Sequence, residues 1–176
     1  MKIGLFGGSF DPVHHGHLWV AHDACAQFGL DRVVLIPAAQ APLRDNSVQA
    51  SAEDRLELLR LVVAGSPTLA VSDYELRQGG TSYTINTVRY FQQAAPGAKL
   101  YWIVGGDQLA KLAHWREAAE LVRLVEFIVF ERPGFTLVAP PALPGLRWQR
   151  CSGHYLDISS SEIRTRFRRG QSVEGW

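Results

Sequence analysis

The stretch GGSFDPVHHGH, residues 7–17, carries the strongest structural signal in this sequence. A short apolar run at residues 2–6 precedes it, and apolar residues at helical spacing follow it from residue 18 to residue 28. A buried strand, a glycine-rich turn and a helix in this order form the opening unit of a parallel sheet covered by helices. We therefore expect the chain to continue as alternating strands and helices.

The rest of the sequence continues this alternation. Residues of helical period lie at 51–64 and 85–95, and a last helix is predicted from Ser160. The pattern predicts an α/β fold with a doubly wound parallel sheet, helices on both of its faces, and a single domain over residues 1–176. Apolar runs of strand length lie at residues 32–36, 69–72, 100–104 and 125–130.

The charge balance and the cysteines exclude several classes of function. With 18 Lys and Arg against 17 Asp and Glu, the formal charge is +1, so no broad basic surface would attract nucleic acid or an acidic membrane. Cys25 and Cys151 lack the spacing of a metal or redox site and are too few for a disulfide framework. The first residues hold too few apolar side chains for a signal peptide. We expect a cytoplasmic protein with no nucleic-acid and no membrane partner, and a homo-oligomer is compatible with the sequence.

Two histidines in the opening stretch are the first candidates for function. His14 and His17 are three residues apart at the predicted helix start, so they lie on one side of it, and Gly16 carries no Cβ that would block a ligand. The start of a helix offers free N–H groups and the positive end of a dipole, both of which attract phosphate. A single histidine is more often structural, but three within four residues at a strand-to-helix junction favour an anion site.

A second candidate segment opens the last helix. An S-x-x-E capping box that starts at Ser159 would by itself account for this segment, with Ile163 and Phe167 facing the core. A cap needs only one hydroxyl group, however. Ser160 and Arg164 add a second hydroxyl and a guanidinium beside a helix N-terminus, where an anion is favoured.

Three further segments each allow a structural and a functional interpretation. Asp107 follows a buried strand, where by its position it could be the N-cap of a helix near residue 108, a ligand-binding carboxylate, or both. Residues 82–84, Ser-Tyr-Thr, form a helix entrance of a common kind. Trp115 is an aromatic residue of the kind that packs in cores more often than it binds ligands.

Taken together, these segments resemble one enzyme family. The string H-x-G-H at residues 14–17 resembles the signature of the nucleotidyltransferases with a Rossmann-like α/β fold, and especially of the nicotinate mononucleotide adenylyltransferases. Residues 158–164, 105–107 and 82–84 are similar to the I-S-S-x-x-I-R, G-x-D and S-Y-T elements of that family. The resemblance spans most of the chain.

The resemblance implies a role for each matching residue. The groups that would contact the ATP phosphates and stabilise developing charge are His14, His17 and Arg164. Six further residues would bind ATP, with Ser160 at the triphosphate and Asp107 at the adenosine ribose: Gly8, Ser9, Phe10, Gly106, Asp107 and Ser160. The residues that would bind the acceptor are Ser82, Tyr83, Thr84, Trp115 and Arg44. No protein metal site is implied, because Mg²⁺ would arrive on ATP.

The loop over residues 37–49, a candidate lid, departs from the family pattern. Relatives usually carry Pro-Pro-His-Lys where this chain has Ala-Pro-Leu-Arg at residues 41–44. Arg44 can still bind phosphate, although with a different geometry from lysine, whereas Leu43 cannot donate a hydrogen bond.

The predicted reaction is the transfer of AMP from ATP to nicotinate mononucleotide, which gives nicotinate adenine dinucleotide and pyrophosphate. The alternatives are an adenylyltransferase for nicotinamide mononucleotide or phosphopantetheine, and a nucleotide-binding regulator without catalytic activity. Nicotinate ranks first because residues 82–84 and Trp115 suit a carboxylated pyridine ring. The two histidines and Arg164 argue against a regulator, since binding alone needs no stabilisation of transition-state charge.

Overall fold

Six parallel strands form one sheet in the computed structural model, which describes residues 1–42, 48–131, 143–153 and 158–176. The strands lie in the order β3-β2-β1-β4-β5-β6, and each neighbouring pair is parallel. This order is that of a doubly wound, Rossmann-like sheet, so the predicted fold class is confirmed. The strands are β1 (Lys2–Gly8), β2 (Arg32–Pro37), β3 (Leu69–Val71), β4 (Lys99–Gly105), β5 (Glu126–Phe130) and β6 (Trp148–Cys151).

Local sequence signals set the ends of several helices. The first helix ends at Gly29, whose φ of 58° is a left-handed conformation that glycine adopts without strain. The second begins after Ser51, whose hydroxyl accepts the N–H of Asp54. In the part of the chain that the structure describes, none of the helices combines the length and the apolar character needed to cross a membrane. The helices within this part are α1 (His15–Phe28), α2 (Ala52–Val63), α3 (Tyr74–Gln78), α4 (Thr84–Ala94), α5 (Gly106–Leu109), α6 (Ala118–Leu124) and α7 (Ser160–Arg168), with a 3₁₀ turn at Leu112–His114.

Alternate side chains of the strands face two separate cores, one on each side of the sheet. On β2, Val34 and Ile36 belong to the core that includes residues of α4 and α6. Their neighbours Val33 and Leu35 belong to the core that includes residues of α1 and α2. Helices therefore cover both faces, as predicted, and the strands are continuous apolar runs because neither face meets water.

The structure also contains elements that the sequence patterns did not predict, namely α3, α6, β6 and the 3₁₀ turn. β6 is a strand of four residues in which Gln149 and Arg150 are exposed, so no apolar run marks it. The expectation that Phe167 faces the core is wrong, because 75% of this residue is exposed. α7 packs instead through Ile163, which is 7% exposed.

The strand order creates a crevice beyond the carboxyl ends of β1 and β4. Ligands of doubly wound sheets bind at this point, because the connections from these two strands leave toward opposite faces. Residues 9–14 leave β1 at this edge, and Gly105 leads from β4 directly into α5. Two of the segments predicted to bind ATP therefore flank the crevice.

Candidate functional site

The paired histidines lie at the start of α1, as predicted. His14 is the N-cap and His17 lies in the first turn, with their ring centroids 3.8 Å apart. The backbone N–H of His14 donates to Nδ1 of His17 at 3.3 Å. Because a ring nitrogen that accepts a hydrogen bond carries no proton, neutral His17 has its proton on Nε2. This side chain therefore offers an N–H donor on its other ring nitrogen.

Phe10 lies against His17 and is part of the core. Their ring centroids are 4.9 Å apart in an edge-to-face arrangement, and Phe10 is only 2% exposed. The φ of Phe10 is 47°, a left-handed conformation that costs a non-glycine residue about 1–3 kcal/mol. A Cβ at Gly8 would lie 3.1 Å from the Phe10 ring. Side chains therefore pack closely within the glycine-rich turn, and the Phe10 ring packs against the imidazole of His17.

Helix α7 docks its N-terminal end on the same turn. Oγ of Ser160 donates to the carbonyl oxygen of Pro12 at 2.9 Å. Nη1 of Arg164 donates to the carbonyl oxygen of Asp11 at 2.6 Å and lies 3.5 Å from Oδ2 of the same residue. The structure thus brings Ser160 and Arg164 to the turn that carries His14, although Arg164 and Asp11 are separated by 153 positions in the sequence.

Asp107 lies on the other side of the crevice, in the first turn of α5. Gly105 is the N-cap of this helix, so the interpretation of Asp107 as its N-cap is wrong. Oδ2 of Asp107 accepts from Nε2 of Gln108 at 2.9 Å. A Cβ at Gly105 would lie 2.7 Å from Oδ1 of Asp107, so glycine leaves room for the carboxylate. Asp107 and Gly106, both half-buried, therefore put a carboxylate at the carboxyl end of β4.

The Ser-Tyr-Thr segment forms the entrance to α4. Tyr83 is the N-cap and Thr84 the first helical residue, and Ser82 precedes them. The first N–H groups of a helix have no partner within it, so they can receive an anion. The guanidinium of Arg116 lies 4.6 Å from the centroid of the Tyr83 ring.

Trp115 precedes Arg116, whose guanidinium lies over the Tyr83 ring at the start of α4. Trp115 is half-buried and packs against the core cluster that includes Ile85 and Val88 of α4. Its Nε1 is buried, and among the described residues it has no hydrogen-bond partner. Both interpretations of Trp115 therefore have support, because the ring packs on the core while its N–H donor is left unsatisfied.

Arg55 is a buried charge that the sequence patterns did not single out. It is 2% exposed, and its Nη1 donates to the carbonyl oxygens of Ser9 at 2.7 Å and Ala38 at 2.9 Å. Burial lowers the pKa of its guanidinium, and attraction to Asp11 acts in the opposite direction. Arg55 ties the glycine-rich turn to the end of β2. The signal that could have found it is its position four residues before the buried Leu59, on the same face of α2.

Asp11 is the second such charge. It is 6% exposed, and its two carboxylate oxygens accept the N–H groups of residues 49 and 50 at 2.9 and 3.0 Å. Its carbonyl oxygen accepts from Arg164. Asp11 therefore links the turn to α7 and to the segment that leads into α2.

Two residues of the candidate lid lie outside the described residues. They are Arg44, which is predicted to bind the acceptor, and Leu43.

Known proteins of similar sequence share one activity in their names. Residues 5–166 match the model of the family described as cytidylyltransferase-like. A protein of Opitutus terrae named "Probable nicotinate-nucleotide adenylyltransferase" is 57% identical over 174 residues, which cover 99% of this chain and 89% of the relative. A relative of the same name in Herpetosiphon aurantiacus is 41% identical over 177 residues, with 98% and 89% covered.

The fold is also similar to that of solved structures. Plasmodium falciparum nicotinic acid mononucleotide adenylyltransferase complexed with NaAD superposes with a TM-score of 0.78 at 20% identity, covering 98% of this chain and 86% of that one. The same enzyme complexed with APC gives a TM-score of 0.76 at 18% identity, with the same shares covered. At these identities the likeness shows a common fold.

Proposed function

This chain belongs to the cytidylyltransferase-like family, among its nicotinate-nucleotide adenylyltransferases, and we propose that it transfers AMP from ATP to nicotinate mononucleotide. The products are nicotinate adenine dinucleotide and pyrophosphate, and the unit that does this is a single domain over residues 1–176. The observation that carries the proposal is the convergence of His14, His17 and Arg164 on one turn beside the crevice of the sheet.

In the proposed reaction, the phosphate of the mononucleotide attacks the α-phosphorus of ATP. A phosphate oxygen of the acceptor forms the new bond, and the bond from the α-phosphorus to the bridging oxygen of the β-phosphate breaks. The acceptor oxygen is already anionic at neutral pH, so the protein needs neither a nucleophile nor a general base. Catalysis then depends on positioning the two substrates and stabilising charge on the leaving pyrophosphate.

The side chains at the start of α1 and α7 supply that stabilisation. His17 donates from Nε2, the nitrogen that carries the proton because Nδ1 accepts from His14. Arg164 is held before ATP binds, since Nη1 donates to Asp11 and Nη2 donates to Oγ of Ser161 at 3.3 Å. A side chain that is already ordered loses less conformational entropy when the nucleotide arrives. The triphosphate lies against the turn after β1, which is shaped by Gly8, Ser9, Phe10 and Ser160.

Other groups bind the ribose of ATP and the acceptor. Asp107, with Gly106 beside it, accepts hydrogen bonds from the ribose hydroxyls of ATP. The main-chain N–H groups near Tyr83 and Thr84, at the start of α4, receive the carboxylate of nicotinate. The ring of Trp115 stacks on the pyridine ring. Arg44 binds the acceptor phosphate.

Magnesium enters this proposal on the nucleotide. Within the described ranges, which leave out residues 43–47, 132–142 and 154–157, no group of three or more His, Cys, Asp or Glu side chains is placed to hold a metal ion. In the proposed complex the ion would be held by phosphate oxygens and water, the ligands that Mg²⁺ prefers. It would add positive charge to the phosphates, next to the charge that Arg164 supplies.

The direct test is to identify the products. The protein is incubated with ATP, Mg²⁺ and nicotinate mononucleotide, and the mixture is analysed by mass spectrometry and by a pyrophosphate assay. The proposal predicts nicotinate adenine dinucleotide and pyrophosphate in equal amounts. Pyrophosphate without the dinucleotide, or neither product, would contradict it.

A further inference from the structure

Glu75 is a buried acidic group that the mechanism above does not use. It lies in α3 and is 6% exposed. Burial raises the pKa of its carboxyl group, while hydrogen bonds from the hydroxyls of Thr87 and Ser82 lower it. Burying a carboxyl group costs free energy unless hydrogen bonds compensate. These two hydroxyl groups therefore compensate the burial of the Glu75 carboxyl group, and they are the parts of the fold that it contacts.

The two hydroxyls lie on either side of the start of α4. Oγ1 of Thr87 donates to Oε1 of Glu75 at 2.6 Å, and Thr87 is fully buried in the first turns of the helix. Ser82 comes immediately before the N-cap, Tyr83. One carboxyl group thus holds the chain just before the helix and again just after its first turn. The N–H group of Thr84, the first helical residue, lies between these two anchors.

Ser82 is in turn fixed to the end of β2. Its Oγ accepts the N–H of Ala39 at 2.9 Å, and its own N–H donates to the carbonyl oxygen of Gln40 at 2.8 Å. A hydroxyl has one proton to donate, and because Ala39 donates to Ser82, that proton is available to the Glu75 carboxyl, whose pKa this hydroxyl lowers. The Ser82 hydroxyl is therefore used inside the protein, and it supports the acceptor site through the position of the backbone.

We propose that Glu75 is a positioning residue of the acceptor site, which fixes the first turn of α4 by holding Ser82 and Thr87. This inference rests on the proposed function, in which the N–H groups of that turn receive the nicotinate carboxylate. An anion site made of backbone groups works only while those groups point to one place, because a small displacement weakens every hydrogen bond in it. The ATP-binding groups lie on α1, α5 and α7, so loss of Glu75 acts on the acceptor and not on ATP.

The experiment measures KM for nicotinate mononucleotide and for ATP separately in Glu75→Gln. The amide keeps the size of the side chain but replaces one acceptor oxygen with an NH₂ donor, which cannot accept from a hydroxyl. We expect the acceptor KM to rise about tenfold, the effect of losing one buried hydrogen bond. The KM for ATP should stay within about twofold, since its site keeps all its contacts. The control is Glu57→Gln on α2, an exposed glutamate, which should change neither constant.

Thr87 gives a second pair of variants that keeps the inference testable if Glu75→Gln fails to fold. Thr87→Val removes the hydroxyl and keeps the branched shape, and it should raise the acceptor KM in the same way. Thr87→Ser keeps the hydroxyl and should restore it. Equal changes in both KM values, or no change in the acceptor KM, would overturn the inference while the wild-type protein still makes the dinucleotide. If the wild type makes none, the proposed function fails first and the positioning role fails with it.

Discussion

Arg164 of the last helix donates from Nη1 to the carbonyl oxygen of Asp11 at 2.6 Å, in the turn after the first strand. The same Asp11 accepts two backbone N–H groups from residues 49 and 50. Its charge also attracts the buried Arg55. The phosphate-binding groups proposed here are therefore set by one connected network of buried polar groups, and they are not independent surface residues.

A substitution of His17 tests its proposed role in stabilising charge on the leaving pyrophosphate. Replacing it with alanine removes the Nε2 donor that faces developing charge, so kcat should fall by about 10²–10³, the range seen when one such donor is lost. The dissociation constant for ATP should change little, because the donor matters most in the transition state. The matched control is His15→Ala, an exposed histidine on the same turn, which should keep full activity. Equal losses in both variants would remove His17 from the mechanism.

Arg55 tests the structural basis of the turn. In Arg55→Met, the carbonyl oxygens of Ser9 and Ala38 lose their donor and Asp11 loses a neighbouring cation. We expect the free energy of unfolding to fall by roughly 3 kcal/mol, as for other broken buried charge networks. Urea unfolding measures this quantity. Arg60→Met, on the same helix, removes only an exposed pair with Glu57, so its effect should stay below about 0.5 kcal/mol. A similar small effect in both variants would contradict the role given to Arg55.

Substitutions of Trp115 test its proposed stacking on the pyridine ring of the acceptor. Trp115→Ala removes the ring and should raise the KM for nicotinate mononucleotide at least about tenfold, with the KM for ATP unchanged. Trp115→Phe keeps a stacking ring and removes the buried Nε1–H, which has no hydrogen-bond partner within the described ranges. Because a buried donor without a partner costs about 1–3 kcal/mol, the Phe variant should be as stable as the wild type or more stable. An unchanged acceptor KM in the Ala variant would assign Trp115 to the core alone.

The sequence predicted the main strands because each is buried on both faces. The apolar runs at 2–6, 32–36, 100–104 and 125–130 fall within two residues of the strand bounds in the structure. The short edge strand β6 was missed because Gln149 and Arg150 on it face solvent. The error at Phe167 has a related cause, since helical spacing predicts which residues share a face but not whether a neighbouring element covers that face.

The motif residues were predictable in a way that their supporting residues were not. His14 and His17 are close in sequence, so a helix start is enough to bring them together. Arg55 finds its partner Ser9 at a separation of 46 positions, and Glu75 finds Thr87 on a different helix. Helical spacing places Arg55 on the same face of α2 as Leu59, which indicates burial. The partners that compensate a buried charge are known only from the tertiary contacts, because they are distant in sequence.

Glu75 predicts a pH dependence of stability. Because burial raises its pKa above the ordinary value of 4.5, the folded protein holds this proton more tightly than the unfolded chain does. The contribution of protonated Glu75 to the free energy of unfolding is therefore complete below that ordinary value. It is lost as the pH rises through the folded-state pKa. Glu75→Gln has no proton to lose at this position. The difference in unfolding free energy between wild type and variant should shift against the wild type as the pH rises above that ordinary value, and parallel curves would contradict this.

The central claim is the identity of the acceptor, and the most direct measurement compares kcat/KM for nicotinate mononucleotide, nicotinamide mononucleotide and phosphopantetheine with ATP and Mg²⁺. The N–H groups at the start of α4 favour a carboxylate over a neutral amide. The account predicts that nicotinate mononucleotide is preferred by about tenfold or more over each of the others. Equal use of nicotinamide mononucleotide, or a preference for phosphopantetheine, would contradict it.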